Sequence, residues 1–100
     1  MKVLISKGYG AGWSTWGRKE MAIDQDLVRL FERGCTEDEM KALCIKKGYT
    51  SLFGGDPYMG GFEDLVVEEV PAGCYFKIRE YDGSEYIEVF DSSSWFFAEN

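Results

Sequence analysis

The chain has 100 residues, 45% of them apolar and 16% aromatic, with 18 acidic and 11 basic side chains and no histidine, giving a formal net charge of −7. That is enough for one compact domain over residues 1–100, and too rich in large apolar side chains for a disordered chain. No apolar run approaches the roughly 18 residues of a membrane span and the N-terminus has no signal-peptide pattern, so no membrane contact and a cytoplasmic location are expected. The missing histidine excludes Ser-His and Cys-His nucleophilic pairs, His-containing zinc sites and imidazole bases. The carboxylates show no motif pattern, so the chain reads as non-enzymatic, with no catalytic residue, metal or cofactor assigned. Cys35, Cys44 and Cys74 are odd in number and lack motif spacing, which suits reduced, mostly buried thiols.

Lys2 to Ser6 is a short apolar run bounded by glycines and reads as a strand. KGYGAGWSTWG follows as a shaped loop with four glycines and three large aromatics. From Ile23, the positions Ile23, Leu27, Leu30 and Phe31 recur at helical spacing, with Asp24 and Asp26 in the first turn and Gly34 past the end. A second helix is announced by the capping-box pair Thr36 and Glu39, with Cys35 and Met40 at the positions of a hydrophobic staple and Gly48 as its stop. After the Gly-rich connector SLFGGDPYMGG the chain turns to strands, Leu65 to Val70 and Cys74 to Tyr81. Asp82-Gly83 then predicts a type I′ hairpin in which Tyr81 faces Ser84, Arg79 faces Tyr86, Ile78 faces Ile87, Lys77 faces Glu88 and Phe76 faces Val89. Glu80 opposite Glu85 is a like-charge pair expected in solvent. Trp95, Phe96 and Phe97 read as a last short strand or a segment over the core. The expected fold is α+β: an antiparallel sheet of 4–5 strands with two helices packed on one face, in the order β-α-α-β-β-β(-β).

Charge is unevenly divided. Residues 1–55 carry a net +2 and residues 56–100 a net −9. An acidic sheet repels nucleic acid, so direct nucleic-acid binding is not expected, and it favours a partner with a basic surface. Glu68, Glu80, Glu85 and Glu88 are the candidate acidic contacts, with Tyr58, Phe62 and Tyr86 as the aromatic ones. A second candidate is the first Gly-rich loop. Closely spaced glycines after a strand let backbone N–H groups of Gly10 and Gly12 converge on an anion, Lys7, Ser14 and Thr15 add donors, and Tyr9, Trp13 and Trp16 offer faces for stacking a base. Its spacing is neither the dinucleotide fingerprint nor the phosphate-loop pattern. Packing material between sheet and helices is the competing reading of the same residues. The connector from Gly54 to Phe62 reads as an adaptable interface, a lid over the first loop, or a plain long loop.

The opening KVLISKGYGAGWSTW, the Gly48 to Phe62 connector and the hairpin REYDGSEYIEVF together resemble small proteins encoded in accessory regions of tailed phages and prophages, a general likeness over most of the chain. The resemblance implies an inhibitor of bacterial defence. Such an inhibitor blocks a host protein, such as a nuclease complex of the CRISPR type, or sequesters a nucleotide signal. The leading expectation is therefore occlusion of a host defence protein through an acidic sheet face and aromatic loops, and the alternative is a nucleotide-binding module built on GYGAGWSTW. An unpaired strand edge and exposed aromatics would permit a dimer.

Overall fold

The computed structural model describes residues 1–90, so the expectation for Trp95 to Phe97 lies outside the described residues. Strand β1 (Lys2–Ser6) is followed by helices α1 (Glu20–Ile23), α2 (Gln25–Glu32) and α3 (Glu37–Lys46), a 3₁₀ turn (Phe62–Asp64), and strands β2 (Leu65–Glu69), β3 (Tyr75–Tyr81) and β4 (Ser84–Phe90). Val3, Leu4 and Ile5 of β1 are all fully buried because both faces of this strand are covered. Leu4 belongs to a cluster with Trp13, Met21, Leu27, Val28, Met40, Cys44 and Leu65, and this cluster joins β1 to the helices. Val3 and Ile5 point the other way, into a second cluster with Ala22 and Val70 against which Phe76, Ile78 and Ile87 pack. A strand buried on two sides must be apolar without alternation, which is how KVLIS reads.

The fold is α+β, as expected. Among the described residues it has three helices and, in place of the single four- or five-stranded sheet expected, two antiparallel pairs, β1 with β2 and β3 with β4. Helices α2 and α3 lie on one face of the β1–β2 pair, the β3–β4 hairpin covers the other through the second cluster, and α1 gives Met21 to the first cluster and Ala22 to the second. The sheets do not merge because side chains already occupy the far edge of β1. Gln25 Nε2 donates to the Lys2 carbonyl at 2.8 Å, and the Ser6 N–H donates to the Glu85 carboxylate at 2.9 Å. Each of these bonds takes a backbone group that a further strand would need.

The hairpin register is the one that Asp82-Gly83 predicts, from Tyr81 opposite Ser84 to Tyr75 opposite Phe90. Both turn residues have positive φ, 49° at Asp82 and 85° at Gly83, as a type I′ turn requires. The first predicted helix is α2, which begins at Gln25, while Ile23 closes the separate short helix α1. Residue 24 leaves the helical region with ψ 110°, ending α1, and its carboxylate caps α2 by accepting from the N–H groups of Asp26 and Leu27. The capping box at Thr36 and Glu39 is complete, and Gly34 and Gly48 follow their helices with φ of 82° and 83°. No described helix is long and apolar enough to cross a membrane.

Asp24 also ties α2 to the end of α3. Tyr49 Oη donates to it at 2.6 Å and Lys47 Nζ stands at 3.2 Å. Burial alone pushes this carboxyl up, but the bonds from Tyr49, Lys47 and the two cap N–H groups outweigh it and hold the group below 3.8. The same contact, with burial, pushes the Tyr49 hydroxyl up to about 12. A depressed carboxyl contributes stability above its unfolded value and loses it as pH falls through the folded value. Asp24→Asn should therefore cost about 1–2 kcal/mol at neutral pH. In urea titrations the gap from the parent should close as pH falls below 3.8, whereas a gap independent of pH would show that the charge contributes nothing.

Candidate functional site

Glu85 is the polar centre of the molecule. Its position is set by side-chain alternation: in β4 it is in phase with Ile87 and Val89, so it lies on the inward face of the hairpin. It is fully buried. Oε1 accepts from the Ser6 N–H at 2.9 Å, and Oε2 accepts from the N–H groups of Trp13 at 3.0 Å and Thr15 at 2.9 Å and from the Thr15 hydroxyl at 2.6 Å. The expectation that Glu85 is solvent-exposed and available to a partner is thus corrected. Burying a carboxylate is tolerable only when its lone pairs are satisfied, and here four donors converge on it.

These contacts also bear on the ligand reading of the first loop. An anion does sit among the loop's N–H groups, but it is the chain's own carboxylate. Gly10 N–H donates to the Asp82 carbonyl and Gly12 N–H to the Gly83 carbonyl at 2.9 Å, so both glycine donors are engaged by the hairpin turn. Trp13 is fully buried in the main core and offers no face for a base, while Ser14 is buried beside it. Lys7 pairs with Glu68 at 3.0 Å. Tyr9 and Trp16 retain exposed surface, and the Trp16 ring lies against Gly12, where a Cβ would come within 2.5 Å of the ring. Gly83 carries two demands at once, its φ and its closeness to the loop, since a Cβ there would stand 2.6 Å from the Ala11 nitrogen.

The second Gly-rich loop folds onto the first. Tyr58 Oη donates to the Ala11 carbonyl, and Gly61 lies so close to Gly12 that a side chain at 61 would collide with the Gly12 carbonyl. Burial, helped by the nearby Glu85 charge, pushes the Tyr58 hydroxyl above its ordinary value and keeps it a donor. Phe62 packs against the main core. Tyr58 and Phe62 are therefore structural, not the free aromatic contacts expected of them.

The acidic sheet face is not assembled either. Glu68 lies on β2 and Glu80, Glu85 and Glu88 on the β3–β4 hairpin, so they belong to different sheets. Glu68 pairs with Lys7, Glu88 pairs with Arg79, and Glu80 accepts from the Gly83 N–H at 2.7 Å to brace the turn. Tyr86 is exposed on the outward face of the hairpin, along with Tyr75 and Tyr81. The three cysteines are free, and burial pushes the Cys44 thiol up to about 12, which leaves it unreactive.

The exposed apolar groups that reading the sequence missed are Leu52 and Phe53. They occupy a turn closed by Gly54 N–H donating to the Ser51 carbonyl at 3.0 Å, with the Ser51 hydroxyl donating to the Gly54 carbonyl. Arg18 fixes the stem of this turn, donating to the Thr50 carbonyl at 3.0 Å, the Thr50 hydroxyl at 2.9 Å and the Ser51 carbonyl at 3.3 Å. Turn centres normally carry Gly, Asn, Asp or Pro. Here Phe53 is fully exposed and Leu52 more than half exposed. The available signal was this unusual occupancy, a Leu-Phe pair directly before Gly54-Gly55.

From Leu52 the surface runs into a shallow depression of about 390 Å³ bordered by Gly17, Arg18, Lys19 and Glu20. Ser14, Thr15, Lys19 and Glu20 border it on one side and, on the other, a second depression of about 470 Å³ lined further by Ile23, Phe76, Lys77 and Ile78. The candidate functional surface is this strip, from the Leu52–Phe53 turn across α1 to β3. Among the described residues no group of His, Cys, Asp and Glu side chains is arranged to hold a metal ion. Comparison with protein-family models, curated proteins and solved structures found no match.

The buried carboxylate sets a sharp expectation. Glu85→Ala leaves its backbone donors without an acceptor, at about 1–3 kcal/mol each for a buried group, so the total approaches the whole stability of a small domain. Glu85→Gln, which turns an amide toward N–H donors, should lower the midpoint of thermal unfolding by more than about 10 °C. Glu88→Gln, at an exposed pair, should stay within about 0.5 kcal/mol of the parent. Equal effects of the Glu85 and Glu88 amides in thermal melts would refute the role assigned to Glu85.

Proposed function

We propose that this chain is a non-enzymatic binding protein that occludes a host defence protein, as the resemblance to phage accessory proteins implies, and that its principal contact is the Leu52–Phe53 turn. The observation that carries this reading is the full exposure of Phe53 on a turn whose stem Arg18 holds in place. A fully exposed phenyl ring contributes nothing to folding by burial, and a turn whose backbone stem is already held lowers the ordering cost of inserting that ring into a partner's pocket. The net charge of −7 favours a partner with a basic surface and speeds encounter with it.

The nucleotide reading receives less support, because the donors of the first loop are engaged by Glu85 and the hairpin turn and Trp13 is inside the core.

The test is protection of phage in bacteria carrying defined defence systems, scored by plaque counts. Phe53→Ala should melt within about 0.5 kcal/mol of the parent, while losing at least about 2 kcal/mol of partner affinity, roughly thirtyfold, and with it the protection. Full protection by a correctly folded Phe53→Ala protein would sink the assignment of this turn.

A further inference from the structure

The edge of β3 that is unpaired among the described residues and the depression beside it form a site of a different kind. Tyr81 and Ser84 flank a two-residue turn and are therefore a hydrogen-bonded pair. Counting back, Tyr75, Lys77, Arg79 and Tyr81 direct their backbone groups toward β4, and the N–H and C=O groups of Phe76, Ile78 and Glu80 point away from it. Among the described residues no strand pairs with that side of β3. Along it runs the 470 Å³ depression, with Phe76 and Ile78 on one wall, Ile23 of α1 on the other, and Lys19 and Glu20 at the rim.

Charge decides the occupant. Lys77 and Arg79 are the only basic residues of the C-terminal half, and alternation places both on the outward face of β3. A second copy of this chain paired antiparallel about Ile78 would set Lys77 against the other copy's Arg79, a like-charge opposition that disfavours self-pairing. A strand carrying carboxylates at those positions meets the opposite situation. Glu88, the cross-strand neighbour of Lys77, is already bonded to Arg79, and the Lys77 ammonium lies over the Phe90 ring, 5.9 Å from its centre, with no carboxylate partner among the described residues.

We infer that the β3 edge takes an extended peptide segment of a partner protein by strand addition, and that the segment alternates acidic with apolar residues. Its backbone bonds the outward groups of Phe76, Ile78 and Glu80, its apolar side chains drop into the depression beside Ile23, Phe76 and Ile78, and its carboxylates lie beside Lys77 and Arg79. The inference rests on the proposed function only in taking the ligand to be a protein. It makes no use of Phe53, and a partner with a basic body can present an acidic strand.

The experiment uses the full chain, labelled with ¹⁵N, and acetylated peptides as long as β3, seven residues, alternating Glu with Val or Lys with Val. The Glu peptide should shift the amides of Phe76, Ile78, Glu80 and Ile23 and bind at least about tenfold more tightly than the Lys peptide. Lys77→Glu, on an exposed side chain, should keep the fold and reverse that preference. Phe53→Ala should leave peptide binding unchanged, so failure of the Phe53 assignment is read separately from failure here. Absence of β3 shifts with either peptide, or a preference unmoved by Lys77→Glu, overturns the inference. So would contacts in the free protein between residues 95–97 and Ile78, or dimerisation through β3, either of which would assign the edge to the chain itself.

Discussion

One buried carboxylate ties three pieces of this molecule to a common point. Glu85 accepts from the end of β1, from Trp13 and from Thr15, so the first strand, the first Gly-rich loop and the last hairpin share a single acceptor group. The glycines around it follow from that convergence. Gly83 must turn with positive φ and also let the loop's backbone pass, and Gly61 must let the second loop lie on Gly12. Together these contacts form a polar plug at one end of the β1 strand, and the two apolar clusters extend from it on the opposite faces of the sheet.

Much of the fold was legible because its local rules agree with one another. Thr36 and Glu39 announce a helix by hydrogen bonds confined to four residues, and Asp82-Gly83 sets a register that depends on the turn alone. What was not legible depended on partners distant in sequence. Whether β1 and β4 share a sheet is decided by the Glu85 and Gln25 side chains reaching the β1 edge, and composition holds no trace of that. The glycine loop reads as Gly10 and Gly12 N–H groups converging on an anion, but those two donate to carbonyls of the hairpin turn, and it is Trp13 and Thr15 that donate to a carboxylate some seventy residues away. The clue was present in the phase of β4: Glu85 shares a face with Ile87 and Val89, and a lone acid in the apolar phase of a strand signals a buried, satisfied carboxylate as readily as a solvated one.

The binding surface shows the complementary pattern. Tyr58 and Phe62 have the composition of an interface but are used for packing, because the second loop needs large groups to lie on the first. Leu52 and Phe53, a few residues earlier, are left outside by a turn too short to fold them back. Acidic residues that look like a face in the sequence are dispersed over two sheets and matched with Lys7, Arg79 and the Gly83 amide. Lys77 and Arg79 on β3 are the two basic residues of the C-terminal half, in a molecule of net charge −7.

The plug also constrains how the chain acquires its structure. Ser6 and Glu85 are 79 residues apart, Trp13 and Glu85 are 72, and β1 pairs with β2 from Lys2 to Glu69. Contacts of such long sequence separation close late and slowly, since the loop entropy is spent before they form. During synthesis the Leu4 face of β1 can be covered by the helices, but the Val3 and Ile5 face lacks its cover until the β3–β4 hairpin has left the ribosome. Helices α2 and α3, with local caps, can form early, but the domain as a whole folds only once nearly all of it has been made.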